Sequence, residues 1–154
     1  MRELLLGIDI GTSSCKVAVF TPEGRVLASK TGKYPVYYPK PGWVEQQPDE
    51  WWQAVAGCIR KIFADTDIQP EEITGIGVDG QSWSAVAVGR DGRVLCPNPI
   101  WMDTRAEGIC REVNEKLGAD RIFGLAGNPF QPMYTTPKVL WYRQERSEVY
   151  ERID

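Results

Sequence analysis

Asp9 is the first residue of this chain whose type and placement suggest chemistry. It closes an apolar run, Leu4 to Ile8, and Ile10-Gly-Thr-Ser-Ser-Cys-Lys16 follows it. A carboxylate is costly in a core strand unless it is paired or binds a cation. Small residues after it let backbone N–H groups and hydroxyls approach an anion closely. The stretch therefore reads as a phosphate cradle at Gly11, Thr12 and Ser13, with Asp9 directing a magnesium ion beside it. A hairpin turn, with Asp9 accepting backbone hydrogen bonds, fits the same residues equally well. A Walker A loop does not fit, because Gly-Lys-Ser/Thr is absent and a second apolar run, Val17 to Phe20, replaces the helix.

A second group of candidates lies at Gln81, Ser82 and Trp83. They follow a buried-strand run, Ile73 to Val78, that also ends on an aspartate and a glycine, Asp79-Gly80. Loops at strand ends are where binding groups concentrate in α/β proteins. Asp103 precedes a helical pattern that begins near Thr104, so an N-cap role is expected for it. Capping leaves a second carboxylate oxygen for a substrate.

The missing residue types narrow the chemistry further. The chain has no histidine, and its four cysteines, Cys15, Cys58, Cys96 and Cys110, include no Cys-x-x-Cys pair. That argues against zinc and for reduced, mostly buried thiols. Any acid–base work must come from carboxylates, lysine or tyrosine. A net charge of −3 and a pI near 5.1 over 154 residues argue against nucleic acid or an anionic membrane as partner. No apolar stretch reaches membrane-spanning length and no signal-peptide core opens the chain, so a cytosolic protein is expected.

The elements that must position these residues alternate in type. Leu4 to Ile8, Val17 to Phe20 and Arg25 to Lys33 predict an antiparallel meander of three strands, with a turn at Thr21-Pro-Glu-Gly24. Tyr34 to Gln47 is too proline-rich for regular structure, and its aromatics are expected to pack over the sheet edge. Pro48-Asp-Glu50 opens a helix whose core face is predicted at Trp52, Val55, Ala56, Ile59, Ile62 and Phe63. Gly24-Arg-Val-Leu27 and Gly92-Arg-Val-Leu95 predict two similar hairpins, the second joining strands at Ala85–Val88 and Val94–Leu95. Further helices are predicted from Thr104 to Gly118, from an Asp120 cap to Ala126, and from Thr136, with one more turn at Ser147. Ile109, Val113 and Leu117 form the first apolar face, and Val139 and Leu140 serve the last long helix.

Five stretches in this order resemble the FGGY carbohydrate kinases of the actin/hexokinase/Hsp70 superfamily. They are Gly7-Ile-Asp-Ile-Gly-Thr-Ser13, Trp43-Val-Glu-Gln-Gln-Pro48, Gly77-Val-Asp-Gly-Gln81, Pro99-Ile-Trp-Met-Asp-Thr-Arg105 and Thr136-Pro-Lys-Val-Leu-Trp141. The second and last look like the xylulokinase branch. The resemblance implies an α/β, ribonuclease H-like (actin-like ATPase) domain with a mixed sheet that begins with the meander and is flanked by helices. It implies transfer of the γ-phosphate of ATP to a sugar hydroxyl, with ATP and Mg²⁺ required and a ketopentose such as D-xylulose as the leading acceptor.

Carried over residue by residue, Asp9 would orient the magnesium–ATP complex through water. Gly11, Thr12 and Ser13 would contact the transferred phosphate, and Lys16 would approach phosphate or stand in solvent. Gln81, Ser82 and Trp83 would contact the sugar, Trp101 would wall the pocket, and Asp103 would accept a sugar hydroxyl. One departure concerns the sugar: xylulokinases commonly carry Gln-Met-His where this chain has Gln81-Ser-Trp83, which leaves ribulose and glycerol as alternatives. Another concerns completeness. The family's catalytic aspartate and its ATP-binding domain would fall beyond Asp154, so residues 1–154 are expected to be the leading, sugar-binding part and inactive alone. A non-catalytic sugar-binding or interaction module is the competing reading. Surface left for a second domain makes a homodimer a further expectation, and an Hsp70- or actin-like ATPase is disfavoured by the sugar-pocket stretches.

Overall fold

The computed structural model describes residues 2–154. The chain forms two compact units, the first comprising residues up to Val36 with Asp49–Gln81, the second Tyr37–Pro48 with Ser82–Asp154.

The first unit is a four-stranded mixed sheet. Strands β1 (Leu4–Ile10), β2 (Ser14–Phe20) and β3 (Val26–Lys33) make the expected antiparallel meander. Short turns between them allow nothing else. The chain then leaves the sheet, passes through helix α1 (Pro48–Asp65), and returns with its next sheet strand (Ile73–Gly80) parallel to β1. A parallel partner needs such a crossover. The Thr21–Arg25 turn closes with Thr21 N–H on Arg25 O and Gly24 N–H on Thr21 O. Gly24 takes φ 86° there, a value that favours glycine.

Leu4, Leu6, Cys15, Val17 and Val19 point to one face of the sheet and pack with Val55, Cys58 and Ile62 of α1. The helix turns Val55, Ile59, Ile62 and Phe63 of the expected stripe to the core and departs from that stripe at Trp52. Trp51, Ala54, Ile59 and Phe63 flank that core, whereas Trp52 is 72% exposed. Trp51, Val55, Cys58 and Ile62 stand in one row at spacings of four and three, with Cys58, a small hydrophobe, within it, and Trp52 falls outside that row. Trp52→Ala is therefore expected to change stability by no more than about 0.5 kcal/mol. Ile62→Ala, at a fully buried position, should cost about 2–5 kcal/mol. Urea unfolding of both variants checks this, and equal losses would refute the orientation of α1.

In the second unit, two short strands, β4 (Glu45–Gln46) and β6 (Asn98–Pro99), pair antiparallel; the parallel sheet strand Ile73–Gly80 lies between them in the chain as β5. Helices α2 (Glu107–Leu117), α3 (Ala119–Ala126), α4 (Thr135–Glu145) and α5 (Ser147–Tyr150) follow. The core gathers Ala85, Ala87, Ala106, Ile109, Trp141, Tyr142 and Val149. The second hairpin turn repeats the first bond for bond, with Gly89 N–H on Arg93 O, Gly92 N–H on Gly89 O, and Gly92 at φ 75°. Its expected strands shrink to a single bridge, Val88 to Val94. Leu95 N–H reaches Ala87 O at 2.9 Å, and Pro97, which has no N–H, stops the ladder there.

Other expectations are corrected in detail. Helix α2 begins at Glu107 and not near Thr104, and Leu117 is exposed while Cys110 is buried. Asp120 lies in the first turn of α3, whose cap position is Gly118. Helix α4 buries Pro137, Lys138, Trp141 and Tyr142, leaving Val139 exposed. All four cysteines are free thiols, and Cys96 alone is only half-buried.

Candidate active site

Asp9 stands at the exposed end of β1, on the sheet face away from α1. It faces Lys16 across the antiparallel ladder and Asp79 across the parallel one. Gly7, Ala18, Ser29 and Gly77 continue the same face as the floor of a concavity of about 610 Å³. The turn beyond Asp9 is tightly specified. Gly11 N–H donates to Ser14 O at 3.0 Å, and the Tyr34 hydroxyl donates to Gly11 O at 2.5 Å. Gly11 thus closes the turn with both of its backbone groups, and the hydroxyls of Thr12 and Ser13 are the anion-facing candidates. Ser13 is exposed and Thr12 half-buried.

Tyr34 was not marked by any sequence pattern, lying in the proline-rich stretch. Burial pushes its phenol up to about 12, with Cys15 and the Asp9 carboxylate adding to the shift, so it remains a neutral donor. Gln81 ends the first unit beside the same turn, its N–H on Ile10 O at 2.9 Å.

The donor set can be compared with what magnesium requires. Among the described residues no group of three or more His, Cys, Asp or Glu could cage a metal. An exposed Asp9 with Asp79 in register supplies one or two carboxylates and leaves room for water. That suits Mg²⁺, which keeps several waters and phosphate oxygens as ligands and takes few protein carboxylates. The residues fit a magnesium ion held mostly by other oxygen ligands.

The second unit holds Ser82, Trp83, Trp101 and Asp103. Ser82 is exposed, and Trp83 has φ 63°, the left-handed region that bulky side chains avoid. Such a backbone costs about 1–3 kcal/mol and persists only where its surroundings enforce it. The Trp83 ring meets Tyr134 edge-on at 5.0 Å and keeps 45% of its surface exposed. Lys138 lies buried behind, donating to Trp83 O at 2.9 Å and to Met133 O. Desolvation pulls its ammonium down to about 8, against an opposing pull from the Asp103 charge.

Asp103 is neither the cap of α2 nor an open acceptor. It is fully buried, and the residue at the cap position is Ala106. Its Oδ1 accepts from the Arg105 N–H and Nε, and its Oδ2 from the Val44 N–H and Arg105 Nη2, all within 3.0 Å. Those bonds occupy the lone-pair directions a carboxylate has. Arg105 also donates to Glu45 Oε1 at 2.7 Å and lies 3.8 Å from the Trp43 ring and 4.8 Å from that of Trp141. Asp103 therefore acts by holding the turn that carries Trp101. The exposed part of Trp101 is 37%.

Comparison with known proteins agrees with this architecture. Residues 4–154 match the FGGY family of carbohydrate kinases, N-terminal domain. The xylulose kinase of Escherichia coli (strain K12) is 32% identical over 151 residues, 98% of this chain and 30% of that protein. The gluconokinase of Bacillus subtilis (strain 168) is 33% identical over 150 residues, 97% of this chain and 29% of that protein. The crystal structure of a xyloylose kinase from Brucella ovis superposes with a TM-score of 0.86 at 32% identity, covering 98% of this chain and 31% of that one. The chain thus spans about 30% of the length of the curated relatives it matches. By that match and the fold it shares, it belongs to the FGGY family of carbohydrate kinases.

Proposed function

We propose that this chain is the leading, sugar-binding part of an ATP-dependent kinase that phosphorylates a sugar hydroxyl, with a ketopentose such as D-xylulose as acceptor. The observation that carries the reading is the Asp9 turn: an exposed carboxylate at a strand end, a lysine in register, and a Gly11-closed loop bearing two hydroxyls. Bound Mg²⁺ would neutralise charge on the phosphates of ATP. Asp9 would hold that complex, Lys16 would offset negative charge, and the Thr12 and Ser13 hydroxyls would donate to a phosphate. In the second unit Trp83 and Trp101 offer apolar faces to the sugar, and Ser82 offers a hydroxyl. The Gln81 amide, at the end of the first unit, is a separate polar candidate for a sugar hydroxyl. The general base and the adenine-binding domain belong to further chain of the kind the longer relatives contain. Among the described residues no helix is long and apolar enough to cross a membrane. An ATP-dependent kinase works where ATP is supplied, and on that ground we place the protein in the cytoplasm.

Calorimetric titration of the 154-residue chain with D-xylulose, D-ribulose, glycerol and gluconate tests the acceptor. D-xylulose should bind best. A preference for gluconate would move the assignment within the family, and no binding by any of them would sink the sugar-facing role.

A further inference from the structure

Lys138 is a buried ammonium for which phosphoryl transfer, as proposed above, has no use. Among the described residues no carboxylate lies within ion-pair distance of its Nζ. Its partners are two carbonyls, of Trp83 and Met133, and each belongs to a loop that carries one ring of the exposed aromatic corner. Trp83 is on one loop, Tyr134 on the other, and the rings touch. One turn further along α4, the Tyr142 hydroxyl donates to Ala85 O at 3.3 Å. Residues 138 and 142 share a helix face, so α4 grips the 83–85 segment at two points. The grip coincides with the one non-glycine residue of positive φ found among the described residues.

We propose that Lys138 is a positioning residue for the sugar: by bridging the carbonyls of Trp83 and Met133 it holds Trp83 in its left-handed pose against Tyr134, and so decides which polyol fits there. The proposal rests on the sugar-facing reading of Trp83. Methionine would fill the same space and donate nothing. Arginine would keep the charge, but its planar fork cannot point donors at both carbonyls as an ammonium does.

The test uses the 154-residue chain labelled with ¹⁵N at its indoles, with the Trp83 resonance assigned through Trp83→Phe. Lys138→Met should shift the Trp83 resonance and narrow the ratio between the best- and worst-bound of D-xylulose, D-ribulose, glycerol and gluconate by about tenfold. Lys138→Arg should fall between it and the unmodified chain. An unmoved resonance with an unchanged ratio would overturn the proposal and leave the sugar-facing reading standing. An unmodified chain that binds none of the polyols would overturn that reading and the selectivity role with it. Should Lys138→Met fail to fold, the substitution is repeated on Trp83→Gly, where the left-handed backbone is unstrained. A folded double variant supports the grip, and a double variant that also fails to fold counts against it.

Discussion

Asp9→Asn, placed in a chain carrying this segment together with the further length seen in its relatives, is expected to lower turnover by about 10³-fold and to leave the fold intact. Phosphoryl transfer asks a protein mainly for charge neutralisation and alignment. Asparagine keeps the size of the side chain and removes its charge. The fold should not notice, because Asp9 is exposed at the end of β1 and the neighbouring turn closes through Gly11, Ser14 and Tyr34. Loss of the carboxylate also leaves Lys16 facing Asp79 across a neutral residue, so charge on that face shifts toward zero. A coupled assay with D-xylulose and MgATP gives the rate, and thermal unfolding gives the control. Turnover within about threefold of the unmodified enzyme would remove Asp9 from the mechanism, since a group that aligns a charged nucleotide is worth far more than that. A fall in rate matched by a fall in melting temperature would make Asp9 a residue of the fold.

What could be read from the sequence was what is decided locally. The meander follows from three apolar runs separated by turns too short for a crossover. The two hairpin turns follow from a glycine at the same position in Thr21–Arg25 and Gly89–Arg93, and the structure closes both with the same pair of hydrogen bonds. Pro48, Asp49 and Glu50 marked the start of α1 correctly. Which face of that helix is buried was less legible. Trp51 and Trp52 are adjacent and equally apolar, but Trp51 stands in phase with Val55, Cys58 and Ile62, so it packs and Trp52, about 100° round the helix, does not.

The site residues divide along the same line. Asp103 looks like a cap because it precedes a helix, and every residue near it supports that reading. Its carboxylate is instead claimed by Arg105 and by the Val44 N–H, 59 positions away in the chain. Lys138 was hidden for a related reason. A lysine in an amphipathic pattern is read as solvent-facing, and α4 has almost no apolar asymmetry to contradict this. Its acceptor at Trp83 lies 55 positions back. Tyr34 had no signal beyond being aromatic and following a strand. The motifs named these neighbourhoods without revealing that several of them are one object: Trp43, Val44, Glu45, Asp103, Arg105 and Trp141 come from three separate stretches and meet around a single guanidinium.

That guanidinium supports the second large prediction. Arg105→Ala is expected to destabilise the second unit by about 3–5 kcal/mol. The Arg105 side chain is 2% exposed, between two tryptophan rings that themselves meet edge-on at 5.3 Å. Its removal leaves Asp103 as a buried carboxylate with only backbone donors, and takes from Glu45 its ion partner. Breaking a buried pair costs more than the pair contributed, because the remaining charge stays out of water without compensation. Arg105→Lys should recover only part of the loss, since an ammonium cannot grip both Asp103 oxygens through parallel N–H groups or lie flat on Trp43. Pairing Arg105→Ala with Asp103→Leu separates the two contributions: if the stranded carboxylate dominates, the double variant unfolds at a higher denaturant concentration than Arg105→Ala alone. If it is no more stable, the loss lies in the packing of the guanidinium between Trp43 and Trp141, and the carboxylate is incidental. Either single variant melting like the unmodified chain would show that the three stretches do not depend on this knot, and that Trp101 is positioned by something else.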